Sequence, residues 1–208
     1  MQKFNKEASK RILIHTWYIY PIAAIIIILL LIWGFGVYHQ PSAHQTINIF
    51  IGCNVKSDKF IDPIQKKYDR EKLREINVNY AAPNDSLYNT KLKIHLSRSD
   101  ILIIPKATVD VYKEHFNEFF VEYDNPTKEN YFKTDYQYYS YENHDFGILF
   151  KNKDTDNQYS QYMTFADDDY YLLITIASTN TGILYNEKNE YYDNALTIVN
   201  YLMGDLNA

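Results

Sequence analysis

Cysteine and glycine are scarce in this chain of 208 residues, and each scarcity excludes a class of protein. The one cysteine, Cys53, excludes an internal disulfide framework and any zinc site built from several cysteines. Six glycines leave little room for glycine-rich loops that hold phosphates, and the motifs His-Glu-x-x-His and Gly-x-Ser-x-Gly do not occur. The sequence therefore predicts a protein that is not an enzyme and has no cofactor and no metal centre.

Positive charge is also limited. The chain has 21 Lys and Arg against 26 Asp and Glu, a net charge of -5. Proteins that bind nucleic acid are normally basic with a clustered patch, so we expect no nucleic-acid partner. The charge is uneven, because residues 1–38 carry a net charge of +3, which leaves -8 for the remainder. A hydrophobic content of 46% is enough for a folded core.

The longest apolar stretch covers residues 17–38, 22 residues without a charged side chain. As a helix it would be about 33 Å long, enough to cross a hydrocarbon core of about 30 Å. Aromatic residues lie near both ends, as in transmembrane helices: Trp17, Tyr18, Tyr20, Trp33, Phe35 and Tyr38. A cleaved signal peptide would have a shorter apolar core followed by small residues, and residues 38–44 make a poor cleavage site. We predict an uncleaved transmembrane helix that contacts the lipid bilayer.

The basic residues near this helix predict its orientation. Four of them precede it, whereas none follows it before Lys56. The positive-inside rule then places the N-terminus in the cytoplasm. We predict a cytoplasmic basic N-terminus over residues 1–16, a transmembrane helix over 17–38 and a linker over 39–45. An extracellular domain would cover residues 46–204 of this single-pass protein of the cell membrane.

The remaining sequence alternates between strand and helix patterns. Residues 46–52 and 76–80 are predicted strands, and the unbroken apolar run at 100–105 is typical of a strand buried on both faces. Each is followed by a helical pattern, at 62–74, 86–97 and 109–119. Further strands are predicted at 146–150, 162–165 and 170–176, and a terminal helix at 190–203. The fold class is therefore α/β, a single lobe with a mainly parallel sheet flanked by helices and preceded by one transmembrane helix.

Three segments carry a resemblance to a known family. They are the strand–helix–strand unit at residues 47–80, the segment Ser-Asp-Ile-Leu-Ile-Ile-Pro at 99–105, and the strand at 170–174 with the polar turn at 178–182 and the terminal helix. In this order they resemble one lobe of the bacterial extracellular solute-binding proteins of ABC importers. Those proteins trap a ligand between two lobes, but only 19 residues separate Phe150 from Tyr170 here, and a second lobe needs about 100.

The resemblance implies a truncated, membrane-anchored binding module that acts in transport, with a membrane permease or other membrane protein as its partner. In open α/β sheets, ligands bind at the carboxyl ends of the strands, beside helix N-termini. The candidate ligand-binding residues are Asn54, Asn84, Asp85 and Lys106. A single lobe leaves this crevice shallow, so we expect weak binding of small ligands. The alternative is an interaction or regulatory domain that docks on a membrane protein complex after loss of solute binding.

Three further features have two interpretations each. The acidic residues at 154, 156 and 167–169 are either calcium ligands or a solvated loop. The tyrosine-rich segment 131–141 is either a contact surface or a consequence of a composition with 21 Tyr. Cys53 is either a nucleophile or a thiol packed at the end of a strand.

Overall fold

A computed structural model of the chain describes residues 16–38, 41–67, 73–132, 136–178, 180 and 194–204. The chain divides into two units, Met1–Gln40 and Pro41–Ala208. The first unit contains helix α1, Ile19–Tyr38. Its stretch Ile19–Gly36 is long and apolar enough to cross a membrane, a property that a signal sequence near an N-terminus would share. The basic residues that predict the orientation lie outside the described residues.

The second unit is built around a sheet of six strands in the order β3-β1-β4-β8-β6-β5. The strands are β1 (Thr46–Ile51), β3 (Glu75–Tyr80), β4 (Ile101–Pro105), β5 (Tyr138–Tyr141), β6 (His144–Lys151) and β8 (Tyr170–Ile174). Two short strands, β2 (Asn54–Val55) and β7 (Met163–Thr164), pair with each other in a separate antiparallel sheet. The strands predicted near residues 46, 76, 101, 146, 163 and 170 are therefore all present.

Helices cover both faces of the six-stranded sheet. The described residues of this unit contain the α-helices α2 (Asp62–Lys67), α3 (Tyr88–His95), α4 (Lys106–Val111), α5 (Phe116–Phe119), α6 (Asn125–Tyr131) and α7 (Asn194–Leu202). Single 3-10 turns occur at Ala43–Gln45, Lys59–Ile61 and Lys113–His115. Ile101 and Ile103 of β4 pack in the core with α2 and α7, whereas Leu102 and Ile104 pack with α3, α4 and α5. Strand β4 is fully buried, as its apolar run predicts.

The mixed α/β class and the N-terminal apolar helix agree with the sequence, but a mainly parallel sheet is not confirmed. Strand β1 is parallel to β3 and β4, whereas the other three pairings, β4–β8, β8–β6 and β6–β5, are antiparallel. A parallel connection needs a crossover, usually a helix. Residues 152–169, all of which the structure describes, form turns and β7 but no helix between β6 and β8. Strand β8 therefore starts at the edge of the sheet where β6 ends, and it runs antiparallel to β6.

Several elements were not predicted from the sequence. Strands β5 and β6 form a hairpin whose two turn residues, Glu142 and Asn143, have φ angles of 52° and 69°. That left-handed pair is the geometry of a tight hairpin turn, which usually contains Asn-Gly or Asp-Gly. Helix α6 begins after Asp124, whose side chain accepts a hydrogen bond from the Thr127 N–H at 2.9 Å. The predicted helix over 109–119 is split into α4, a 3-10 turn and α5.

Candidate functional site

The carboxyl ends of four strands meet at one edge of the large sheet. Strands β3, β1 and β4 are parallel neighbours, and β6 runs in the same direction because β8 lies antiparallel between it and β4. Backbone hydrogen bonds continue past the strand ends, from Gly52 N–H to Ile103 O at 2.7 Å and from Ala81 N–H to Ile51 O at 3.1 Å. We call this the carboxyl edge; it is the edge at which open α/β sheets bind ligands.

The four residues predicted to bind ligand all follow strands that end here, and all four are exposed. Asn54 lies in β2, opposite Thr164. Asn84 and Asp85 lie in the turn after β3, and the Asp85 carboxylate accepts a hydrogen bond from Leu87 N–H at 2.9 Å. Lys106 begins α4. No hydrogen bond or ion pair in the described part of the chain joins any two of the four, so their role as ligand-binding residues remains a prediction.

The crevice between β1 and β4 is filled by the protein itself. A Cβ atom on Gly52 would lie 2.9 Å from the Tyr88 hydroxyl and 3.1 Å from Cδ of Pro105. Tyr88, at the start of α3, is 5% exposed, and its hydroxyl lies 3.1 Å from that of Thr108. Burial raises the pKa of Tyr88 to about 12, although the bond to Thr108 opposes this. Glycine is therefore favoured at position 52, because any side chain there would crowd Tyr88 and Pro105.

The first two backbone N–H groups of α4 are already hydrogen-bonded within the chain, one to a carboxylate and one to a carbonyl. Asp168 accepts a hydrogen bond from Ala107 N–H at 2.9 Å, and Lys106 N–H donates to the Asp169 carbonyl at 2.7 Å. The Asp169 carboxylate accepts from Lys153 N–H at 2.9 Å. Two of the acidic residues considered as calcium ligands therefore hold the loop before β8 against α4 and the turn after β6. Within the described residues no group of three or more His, Cys, Asp or Glu could hold a metal ion.

A pocket of about 390 Å³ opens at the same edge, beside the end of β6. Its lining combines lysines, acidic and hydroxyl groups, and a small apolar wall: Lys56, Lys151, Lys153, Asp156, Ser160, Met163, Thr164, Phe165, Ala166 and Asp167. We call it the lysine pocket. The register between β6 and β8 shifts between Leu149 and Lys151, and such irregularities re-aim side chains at sheet edges. Sequence reasoning considered Asp156 and Asp167 only as calcium ligands or parts of a solvated loop, and it missed the other lining residues because the loop before β8 has no periodic pattern.

A second pocket, of about 220 Å³, has an aromatic and amide lining. It lies between the 3-10 turn at Lys59–Ile61, the loop before β7 and helix α7. Its lining residues are Phe60, Pro63, Gln158, Tyr159, Gln161, Tyr162 and Tyr201. Burial holds the pKa of Tyr159 above its usual range. The pocket presents rings and amides but no charged side chain.

Cys53 and His95 are packed residues. The Cys53 thiol is buried, and burial raises its pKa to about 12, which leaves almost no thiolate at neutral pH. His95 stacks on Phe50 with ring centroids 4.7 Å apart, and its Nδ1 lies 2.8 Å from the Ser99 hydroxyl. Burial lowers the pKa of His95, with smaller effects from Arg98 and Lys91.

The tyrosine-rich segment packs against both cores in its described part. Tyr131, Tyr136 and Tyr138 lie against the core beneath α7, and Tyr139 and Tyr141 lie against the opposite one. The Tyr139 hydroxyl donates a hydrogen bond to Asp110. All five side chains are partly buried, and residues 133–135 lie outside the described part. Packing therefore accounts for much of the aromatic surface of this segment.

A polar network holds the opposite edge of the sheet together, at the amino ends of β1 and β4. The Asp100 carboxylate accepts hydrogen bonds from Asn48 N–H at 2.8 Å, the Ser178 hydroxyl at 2.7 Å and the Asn180 amide at 2.9 Å. The Asn180 amide also donates to the carbonyl of Thr46 at 2.9 Å. Asp100 belongs to the segment that carries the family resemblance, but it lies at the edge remote from the lysine pocket. Its role is to join strands and loops.

The carboxyl edge thus combines a filled crevice over β1 and β4 with an open pocket beside β6. An aromatic pocket lies near α7, and the buried cysteine and the packed histidine take no part in either pocket. Comparisons of the chain with protein-family models, with curated proteins and with solved structures find no match.

Proposed function

We propose that this chain is a non-enzymatic binding module anchored in the cell membrane, with its folded unit outside the cytoplasm. It would be a one-lobed relative of the solute-binding proteins of ABC importers and would act beside a membrane permease. The observation that carries the proposal is the sheet order β3-β1-β4-β8. Strands β3, β1 and β4, each of which is followed by a helix, lie side by side and parallel. Strand β8 pairs antiparallel with β4.

The geometry of the carboxyl edge supports binding at that edge. Four strands end there, and the lysine pocket opens beside the last of them. Its volume of about 390 Å³ falls at the small end of the range of ligand pockets, roughly 300–1,000 Å³. Because a single lobe covers only one side of a ligand, affinity would be modest.

The location follows from the apolar helix and from the charge of its flank. Helix α1 is a candidate membrane span, and four basic residues precede it in the sequence. Positive charge on the short N-terminal side favours its retention in the cytoplasm. The folded unit would then face outward, where a binding module of an importer acts.

Binding can be tested on the full chain in polyoxyethylene detergent micelles, which contain neither sugar nor phosphate. Amide NMR shifts would be recorded during titration with amino acids, sugars, oligopeptides and small anions. We expect saturable shifts at residues of the carboxyl edge, with dissociation constants above the micromolar range. Absence of saturable shifts for every ligand would overturn the binding-module proposal, and sub-micromolar binding would contradict the one-lobe argument.

A second candidate is a domain that docks on a membrane protein complex and no longer binds solute. The filled crevice favours it, because Tyr88 occupies the space over Gly52, and the first two N–H groups of α4 already donate to the Asp169 carbonyl and the Asp168 carboxylate. In the same titration, docking without solute binding predicts no shift with any small ligand.

A further inference from the structure

The lysine pocket contains an almost fully buried lysine residue. Lys151, the last residue of β6, is 7% exposed. Its Nζ donates to the carbonyl oxygens of Asn152 at 2.9 Å and Lys153 at 3.4 Å, and it lies 5.5 Å from the centre of the Phe165 ring. Within the described residues, no carboxylate lies within 4.0 Å of it.

These contacts leave the positive charge of Lys151 incompletely compensated. An ammonium group has three protons to donate, and two carbonyl oxygens accept at most two of them. Buried charges in proteins are normally paired with an opposite charge, because desolvation of an isolated ion is costly. Asp145 and Lys128, partly buried elsewhere in this unit, do form such a pair at 2.5 Å. An anion entering the pocket would supply Lys151 with the partner that the described chain does not provide.

The other lining residues are consistent with an anionic group on a small ligand. Three lysines face two aspartates, so the lining carries a net charge of +1. Lys56 and Lys153 are exposed and stand at the rim, where they raise the local concentration of anions. Ser160 and Thr164 add hydroxyl groups, whereas Met163 and Phe165 form an apolar wall.

We propose that the lysine pocket binds an oxyanion, a carboxylate or phosphate group, with Lys151 as its buried cationic partner. This inference rests on the proposed function, because it names the ligand class of the same edge. Asp156 and Asp167 reduce the positive potential, so the pocket suits a ligand with one or two negative charges better than a polyanion. Lys56 and Lys153 attract the ligand, and Lys151 fixes the position of its charged group.

The test uses the full chain in polyoxyethylene detergent micelles at constant ionic strength. Inorganic phosphate and succinate would be titrated separately, with sodium chloride as the ionic-strength control, so that the two sources of the oxyanion are distinguished. We expect saturable amide shifts at residues 151–153 and 163–167 with at least one anion and no saturable shift with chloride. The absence of saturable shifts with both anions would overturn the proposal.

Charge variants locate the binding group. Lys151→Met should weaken binding of the anion about tenfold or more, because a hydrogen bond to a charged group in a buried site is lost. Lys93→Met, an exposed lysine of α3, is the matched control and should bind as the unchanged chain does. Should Lys151→Met fail to fold, the exposed pair Lys153→Gln and Asp167→Asn keeps the test open. The first should weaken binding and the second should strengthen it, each by about twofold to fivefold.

Equal affinities in the Lys153→Gln and Asp167→Asn variants would overturn the oxyanion assignment. A neutral sugar or peptide that shifts the carboxyl edge while phosphate and succinate do not would also overturn it, but would leave the binding-module proposal standing. The absence of saturable shifts with every ligand would overturn both the oxyanion assignment and the binding-module proposal.

Discussion

Two charged side chains are almost fully buried in the described part of the folded unit, and they lie at opposite edges of the sheet. Asp100 is 4% exposed and accepts three hydrogen bonds, from Asn48, Ser178 and Asn180. Lys151 has two carbonyl acceptors and, among the described residues, no carboxylate within 4.0 Å. A satisfied buried charge is a feature of structure, whereas an unsatisfied one that opens onto a pocket indicates a ligand. The edge of Asp100 is thus structural, and the edge of Lys151 is the candidate site.

The Asp100 carboxyl makes stability depend on pH. Burial is the largest influence and raises its pKa, although the hydrogen bonds it accepts oppose this rise. Its unfolded pKa is about 3.9, so the stability it contributes is fully present below that pH and is lost as the pH rises through the higher folded pKa. Asp100→Asn cannot ionise and removes this dependence. We expect the unchanged chain to lose stability relative to the variant as the pH rises from about 4.

The measurement is urea unfolding of the full chain in micelles, followed by circular dichroism at a series of pH values. Asp154→Asn, at an exposed position in the turn after β6, serves as the control for a change of net charge. At low pH, Asp100→Asn should cost about 1–3 kcal/mol, because an amide cannot accept from all three donors, and this cost should shrink as the pH rises. An advantage of the unchanged chain that grows with rising pH would contradict the raised pKa.

At the scale of elements, helix α3 closes the carboxyl edge over β1. The Tyr88 hydroxyl lies only 2.9 Å from where a Cβ of residue 52 would be, and Pro105 approaches from β4. We expect Gly52→Ala to destabilise the folded unit by about 1–3 kcal/mol, the usual effect of overpacking. Tyr88→Phe removes the hydroxyl and its bond to Thr108, and alone should cost about 1 kcal/mol.

The two changes should be coupled, because removal of the hydroxyl makes room for the added methyl group. The double variant should be more stable than the sum of the single effects by about 0.5–2 kcal/mol, measured by the same urea unfolding. Thr108→Val, which removes the hydrogen bond but not the obstructing atom, is the control and should not relieve Gly52→Ala. Strict additivity of Gly52→Ala and Tyr88→Phe would mean that α3 does not seal this crevice.

The sequence predicts individual elements better than their directions. The run at 101–105 identifies a strand buried on both faces, and the alternation in β1 and β3 is equally clear. The direction of β8 depends on where the loop 152–169 ends, and that loop carries no periodic signal. The hairpin between β5 and β6 was missed because its turn is Glu142-Asn143 and lacks the glycine that marks such turns.

The candidate site, too, could be predicted from the sequence only in part. The rule for parallel strands identifies the carboxyl edge, and the four residues chosen at strand ends do lie along it. The pocket, however, is assembled from β6, from the residue after β2 and from the irregular loop before β8. Its position depends on β6 running parallel to β4 with β8 between them. Periodicity along the chain contains no information on that pairing, so Lys151 could not be singled out from the sequence.

At the scale of the whole molecule, the chain joins an apolar helix to an acidic folded unit. Residues 1–38 carry a net charge of +3, which leaves -8 for the remainder. The cytoplasmic leaflet of a membrane is negatively charged, so in the proposed orientation the basic flank would be attracted to that side and the acidic unit would be repelled from it. The lysine pocket is therefore a locally positive site in a unit whose net charge is negative.

The proposed topology predicts a specific pattern of protease sensitivity. With an epitope tag at the N-terminus, protease added to intact cells should degrade the unit after residue 40 and leave the tag attached to the membrane. Changing Lys3, Lys6, Lys10 and Arg11 together to Gln removes the charge that favours cytoplasmic retention, and should produce a protected fraction of the folded unit. The control changes Lys56, Lys59, Lys66 and Lys67, which follow the helix at a distance, together to Gln. It should leave the pattern of protease sensitivity unchanged. Protection of the folded unit in the unchanged chain would reverse the orientation, and a mature N-terminus near residue 44 by mass spectrometry would show that the helix is a cleaved signal.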